Sequence, residues 1–323
     1  MIRRLHIQNF KSIKDLKLDC SRVNIFIGEP NTGKSNIIEA VGIRSLQFSN
    51  YEIKTFVRFE KMSNLFYDNA LEKSISILYD KDLFSIGYTN SLFQGNFQGD
   101  INGRTQIMYN FSYNHNAKIS GEGITDNAIK YYIFKGLEIH SGLASDYLRP
   151  PHGDNLFAIL ETNNKIYEYA SDIFATYGYE LVLRSGESKI EIAKKIGRKL
   201  ITFPYSLAAD TLQRIVFYVA AMETNSDSTL VFEEPESFAF PFYTQQLAEK
   251  IGAYNSNQFF ITTHNPYFLM SIIEKTPIEE LRVYITYYEN YETKVKLLSK
   301  EQLSNILTYN TDLFFNLNKY INN

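Results

Sequence analysis

The chain has 323 residues, 44% of them hydrophobic, and a formal net charge of −3. That suffices for one large domain or two small ones with a substantial core, and it offers no overall basic footprint for nucleic acid. Cys20 is the single cysteine, which excludes an intrachain disulfide framework and a Cys-rich zinc site. The segment Met1–Ile7 has no apolar signal region, and no run of about eighteen apolar residues occurs, so a cytoplasmic protein with no membrane span is expected.

Leu5–Phe10 and Lys14–Asp19 alternate and read as strands, and Val23–Ile27 reads as a short buried strand. That third strand runs into Gly28-Glu29-Pro30-Asn31-Thr32-Gly33-Lys34-Ser35, which fits the P-loop pattern G-x-x-x-x-G-K-[ST] without a gap. Asn36–Val41 starts a helix expected to reach about Gln47. The pattern serves phosphate capture. Glycines at positions 28 and 33 let successive N–H groups converge on one point, and the helix adds the positive end of its dipole. Lys34 would reach the β- and γ-phosphates, and the Ser35 hydroxyl would sit on Mg²⁺.

From Ser49 to about Gly142 the chain is rich in Asn, Tyr, Phe and Ser. Its short apolar runs, among them Ser74–Tyr79, Leu83–Tyr88 and Gln106–Phe111, predict an antiparallel meander beside the nucleotide core. The aromatics there read as sheet packing rather than base-stacking platforms, because clustered Lys and Arg are missing. Tyr147–Gly153 is a connector, and a helix is expected over Asn155–Tyr177, with Asp154 as N-cap and Gly178 as stop. A hairpin follows, Tyr179–Leu183 and Lys189–Ala193 about a turn at Ser185-Gly186. Lys194, Lys195, Arg198 and Lys199 form the one dense basic cluster, read as a solvated turn ahead of a nucleic-acid contact.

Thr229–Glu236 is a strand that ends in carboxylates, at the edge where open α/β sheets bind ligands. One acid can hold the Mg²⁺ shell, and the next can orient or deprotonate a water. Gln258–Pro266 is a second apolar strand, ending in His264, which can hydrogen-bond a γ-phosphate or an attacking water.

These motifs, in this order, resemble the ATPase heads of the ABC class, in the SMC-like, RecF-like and OLD-type branch. The opening Ile2–Ile13, with its Asn-Phe-Lys-Ser, resembles the N-terminal strand of that branch. Gly28–Ser35 with Asn36 resembles its Walker A, Leu230–Glu236 its Walker B, and Thr263–Pro266 its switch-His segment. The resemblance implies Glu234 as catalytic carboxylate, His264 as switch, and Ser35 with Glu233 at Mg²⁺. It also implies an α/β, two-lobed head, with ATP held between two protomers. Two positions depart from the pattern. Glu233 stands where the family usually has Asp, which would shift the Mg²⁺ shell and slow hydrolysis. The signature turn, expected within Tyr205–Arg214, has no glycine, so either Ser206 or the Ala209-Asp210-Thr211 turn takes its role. Asp210 and Thr211 are competent caps for the helix that follows.

The expected organisation is one head: a P-loop start over 1–48, an antiparallel β lobe over 49–142, a helix-and-hairpin insertion over 143–203, and a signature, Walker B and switch-His lobe over 204–323. A terminal hairpin is expected over Leu281–Tyr287 and Thr293–Leu297, with neither a Toprim domain nor a long coiled coil. The resemblance then implies an ATP-driven dimerisation switch in anti-phage defence or DNA maintenance, acting on a separate effector encoded by a neighbouring gene. The alternative is a RecF-like repair ATPase that grips DNA itself. A transporter nucleotide-binding subunit is disfavoured by the missing glycine-rich signature.

Overall fold

The structure, a computed structural model, describes residues 1–48, 53–101, 104–113, 119–123, 128–137, 145–309 and 311–322. In chain order, β1 (Arg4–Phe10) and β2 (Ile13–Asp19) precede β3 (Val23–Ile27), which leads through the P-loop into α1 (Lys34–Gly42). Next come β4 (Ile75–Tyr79), β5 (Asp82–Thr89), β6 (Leu92–Ile101), β7 (Arg104–Tyr113), β8 (Ile119–Gly123) and β9 (Ile129–Tyr132). Helices α2 (Leu156–Thr162) and α3 (Asn164–Ala175) are followed by β10 (Glu180–Arg184), β11 (Lys189–Ile196) and β12 (Lys199–Pro204). The remainder is α4 (Asp210–Glu223), β13 (Thr229–Glu233), α5 (Pro241–Ala253), β14 (Gln258–Thr262) and α6 (Pro266–Lys275), then β15 (Leu281–Glu289), β16 (Glu292–Leu297), α7 (Lys300–Tyr309) and α8 (Leu317–Ile321).

Among the described residues the strands form three sheets. The central one has the order β16-β15-β3-β14-β13-β9, with all neighbours parallel except the edge pair β15–β16. Strands β3 and β14 are buried along their whole length, as expected for a parallel sheet covered on both faces. The period of two divides their side chains between two cores. Val23, Ile25, Ile27, Phe232 and Ile261 pack with the helical side, while Phe26, Val231, Phe260 and Tyr284 pack with α1 and the antiparallel sheet. Phe26 stacks between Phe260 and Tyr284 at ring separations of 6.3 and 5.5 Å. Burying each such ring contributes roughly 2 kcal/mol.

The antiparallel sheet has the order β2-β1-β4-β5-β6-β7-β8, which agrees with the expected meander. The limits set for it, Ser49 and Gly142, lie outside the described residues. Strands β1 and β2 belong to this sheet and not to the P-loop sheet, so β3 alone carries the P-loop out of the first thirty residues. The mixed α/β architecture read from the sequence is what the chain adopts.

Several local expectations are corrected. Helix α1 stops at Gly42 and the chain continues to Phe48 as a 3-10 helix; the Tyr131 ring closes in at Gly42, where a Cβ would lie 2.3 Å from it. The helix expected over Asn155–Tyr177 is two helices. The break falls at Asn163, whose extended backbone and side-chain bond to the Ile166 N–H make it the N-cap of α3. Asp154 is not the cap of α2. Asn155 stands there, its side chain accepting from Arg149 N at 2.8 Å and donating to Tyr147 O at 3.0 Å. Gly178 has a φ of 75° and does end the second helix. The hairpin after it is a three-stranded sheet, β10-β11-β12, and the basic cluster lies along the β11–β12 connection with Lys195, Arg198 and Lys199 exposed. The terminal hairpin forms, but β15 also pairs with β3 and so belongs to the central sheet.

Candidate nucleotide site

The central sheet gathers its loops at one edge. Glu233 is the register partner of Thr262, and Ile27 that of Ile285, so the segments after β13, β14, β3 and β15 emerge side by side. This is the carboxyl edge at which α/β sheets hold ligands.

Gly28 turns the chain out of β3 with a φ of 151°, and a Cβ on it would lie 2.2 Å from the Thr286 carbonyl oxygen. Gly33 is the N-cap of α1 in the left-handed region, where a Cβ would lie 2.0 Å from Thr293 Oγ1. Between them Glu29, Pro30 and Asn31 are exposed at the loop tip, and Thr32 braces it by donating to Glu29 O at 2.8 Å. Lys34 Nζ curls back to Gly28 O at 3.0 Å and Glu29 O at 2.7 Å. Burial lowers the pKa of this ammonium, and the Glu234 carboxylate opposes that shift. No side chain caps α1, so its first N–H groups stay available to an anion. Gly33, Lys34, Ser35 and Asn36 line a cleft of about 440 Å³, together with Arg58, His264, Ser12 and Tyr288. Asn36 donates to Ser12 Oγ at 2.7 Å, which ties α1 to the β1–β2 turn.

Glu234 follows β13 with a φ of 44°, held by its N–H bond to Thr262 O at 3.1 Å. Ser237 Oγ donates to Glu234 Oε2 at 3.0 Å, and His264 Nε2 lies 3.3 Å from Oε1. Burial and then the Lys34 charge lower the His264 pKa, against the pull of Glu234. The imidazole is therefore neutral at pH 7. The P-loop lysine, the carboxylate and the histidine thus meet in one place, as the order of motifs leads one to expect.

Glu233 is held from both sides. Arg58 Nη2 donates to Oε1 at 2.7 Å and Tyr131 OH donates to Oε2 at 3.0 Å. Arg58 Nε also donates at 2.8 Å to Oε1 of the buried Glu39, whose other oxygen pairs with Lys11. Burial alone would lower the Arg58 pKa, but Glu233 and Glu39 together raise it. Each Glu233 oxygen keeps a lone pair beyond these bonds. That suits a water in a Mg²⁺ shell. Among the described residues no cluster of three or more His, Cys, Asp or Glu could hold a metal by itself, so Mg²⁺ here would rely on phosphate oxygens, which is its usual habit.

Glu236 turns inward. It is buried, accepts from the Thr263 hydroxyl, and its pKa is pushed up to about 7, mainly by burial. The Asn265 side chain caps α6 by accepting from the Tyr267 and Phe268 N–H groups.

The signature-like residues lie elsewhere. Ser206 sits in a 3-10 turn, Tyr205–Leu207. The cap of α4 is Ala209, with no side-chain bond, so neither Asp210 nor Thr211 caps that helix. Asp210 instead accepts from Arg214 Nε at 3.2 Å, and Thr211 Oγ1 donates to Phe238 O at 3.0 Å, in the loop beyond Glu234. Ala209 and Thr211 border a second cavity, of about 380 Å³ and mainly apolar, with Tyr177 and Phe240 on its wall. Within one chain these residues do not line the P-loop cleft.

Over 94% of its length the chain superposes on 99% of an SMC head bound to the C-terminal winged-helix domain of ScpA, with a TM-score of 0.57 and 15% identity. The fold is that of an SMC head. A second SMC head, bearing an extended coiled coil and bound to the C-terminal domain of ScpA derived from Pyrococcus furiosus, matches 95% of this chain and 98% of that one, at a TM-score of 0.52 and 13% identity. No protein-family model matches. In sequence the chain is 27% identical over 106 residues to the uncharacterized protein MJECL10 of Methanocaldococcus jannaschii, a match covering 28% of this chain and 48% of that one. It therefore spans about half the length of that relative.

In this SMC-type head, sequence reasoning missed Arg58, Tyr131, Glu39 and Tyr288. None stands in a motif; Arg58, Tyr131 and Tyr288 are brought in by distant elements, and Glu39 sits on α1 itself, where only burial distinguishes it. Glu236 stood inside the Glu-Glu-Pro-Glu segment, and only burial sets it apart from its neighbours.

Proposed function

We propose that this SMC-type head binds ATP with Mg²⁺, hydrolyses it, and uses the cycle as a dimerisation switch. The observation that carries the reading is the convergence of Lys34 and His264 on one cleft at an uncapped helix N-terminus, with Glu234 3.3 Å from His264 and acting electrostatically on Lys34. Lys34 and the N–H groups of Gly33, Ser35 and Asn36 would hold the β- and γ-phosphates. Ser35 would ligate Mg²⁺ and Glu233 would hold a water of its shell; the ion supplies charge neutralisation on the phosphoryl oxygens. Glu234, aimed by Ser237 and His264, takes the proton of an attacking water. The neutral His264 can donate to a phosphate oxygen or orient that water.

A switch needs two states with different affinity for nucleotide. One chain leaves Ser206, Asp210 and Thr211 away from its own P-loop, so they are free to meet a partner protomer's nucleotide. The Thr211–Phe238 bond links that surface to the loop carrying Glu234. We place the output in a separate effector protein, in anti-phage defence or DNA maintenance. The head domains with this fold were solved with ScpA domains bound to them, which supports an ability to dock a second protein. The test is ATP-dependent dimerisation by light scattering, comparing wild type with Glu234→Gln. Affinity purification from the native host should recover a partner whose retention differs between the two. A monomer under all nucleotide conditions would refute the switch.

The second reading, a DNA-gripping repair ATPase, draws on the exposed Lys195, Arg198 and Lys199 of the β11–β12 connection. DNA binding that weakens steeply with salt, and that is lost on neutralising these residues, would favour it.

A further inference from the structure

We propose that Tyr288 is the platform on which the base of the nucleotide stacks. The inference rests on the nucleotide-binding reading above and extends it to the other end of the ligand. The P-loop follows β3, which lies between β14 and β15 in the central sheet. The catalytic candidates Glu234 and His264 follow β13 and β14, all on one side of β3. The phosphate to be cleaved belongs on that side, so the ribose and base extend toward β15. Tyr288 is the aromatic residue on that wall of the cleft.

The β15–β16 hairpin holds it there. Tyr288 pairs in register with Thr293, and Thr293 is bonded directly to the phosphate loop. Thr293 Oγ1 donates to Thr32 O at 3.1 Å and lies 2.6 Å from Ser12 Oγ, while Thr293 N donates to Ser12 O at 2.8 Å. The Gly33 Cα is close enough to Thr293 to forbid a side chain. Tyr288 OH donates to Tyr291 O at 2.9 Å, which anchors the edge of the ring, yet the residue is 49% exposed. A ring with its polar tip satisfied and its body open to the cleft costs little to cover. A π-face accepts any base, so the ligand class is a nucleoside triphosphate, and this contact does not choose among bases.

Calorimetry with ATP and with inorganic tripolyphosphate, both with Mg²⁺, separates the base from the phosphates. Tyr288→Ala should weaken ATP by roughly tenfold or more and leave tripolyphosphate unchanged. Tyr288→Phe should bind ATP like wild type, since the ring remains; circular dichroism checks that both variants fold. If Tyr288→Ala binds ATP as wild type does while Lys34→Ala does not, the platform is refuted and the nucleotide site stands. Equal loss of ATP and tripolyphosphate would also overturn it, by showing that the ring acts through the hairpin on the phosphate loop. If wild type binds neither ligand, the nucleotide reading fails and takes the platform with it.

Discussion

His264 Nε2 and Glu234 Oε1 lie 3.3 Å apart, although thirty positions of chain separate the two residues and each belongs to the loop after a different strand. Glu233 and Thr262, paired in register at the ends of those strands, set the approach. Glu234→Gln keeps the shape and the Ser237 bond but removes the base. It should bind ATP as wild type does, lose turnover by roughly 100-fold or more, and prolong the ATP-bound dimer. Turnover that survives in Glu234→Gln but is lost in Glu233→Gln would exchange the roles of the two acids. His264→Ala should slow turnover without unfolding, and a normal rate would make the histidine structural.

The Lys34 ammonium donates to two carbonyl oxygens of its own loop, at 3.0 and 2.7 Å. Charged phosphate oxygens are stronger acceptors. Lys34→Ala should therefore weaken ATP on the order of 100-fold by calorimetry, with little change in melting temperature. Unchanged affinity would end the phosphate-loop assignment.

Glu39 and Arg58 share an ion pair, but they differ in burial: the Glu39 side chain is 1% exposed and that of Arg58 65%. Removing the buried partner strands Lys11, which is itself mostly covered. Glu39→Ala should cost about 3 kcal/mol of stability and Arg58→Ala about 1 kcal/mol or less, read from urea unfolding. Equal costs would contradict the burial argument.

The Glu236 carboxyl, raised from an ordinary 4.5 to about 7, binds its proton more tightly when the chain is folded. Its contribution is complete below the unfolded value and is lost as pH rises through about 7. His264 has the opposite sign: its lowered pKa removes stability as pH falls. Comparing wild type with Glu236→Gln isolates the carboxyl. The variant should gain stability relative to wild type between pH 5 and 8, and parallel profiles would disprove the buried acid.

Much of this head was legible in local patterns because its candidate site sits at strand ends. Val23–Ile27, with only Asn24 polar, and Leu230–Phe232 and Phe259–Ile261 are largely apolar because both faces of the sheet are covered, and each runs straight into a loop of the candidate site. Glycines at 28 and 33 are demanded by the loop's own backbone angles, while the close neighbours that forbid a Cβ there, Thr286 and Thr293, come from the distant β15–β16 hairpin. Spacing alone therefore set Lys34, Ser35, Glu234 and His264 in the loops that the structure gathers at one sheet edge. The helix break at Asn163 was hidden because an apolar stripe continues across it, and only the Asn163 side-chain bond to Ile166 reveals a new cap.

What the amino-acid order by itself determined is the kind of candidate site: a loop of the phosphate-binding pattern after one strand, acids after a second and a histidine after a third. Those features depend on backbone conformation and on hydrophobic runs a few residues long, both of which are local. The tertiary structure decided which of the remaining polar groups face that site. Strand order carries β1 and β2 into the antiparallel sheet and sets β15 beside β3, and this puts Ser12, Thr293 and Tyr288 on the phosphate loop. The same packing lays Arg58 and Tyr131 on Glu233 and buries Glu236 against Thr263. Those contacts join residues from 27 to 281 positions apart. No local pattern encodes them, because the free energy that selects them comes from burying whole sheet faces together, not from any one segment.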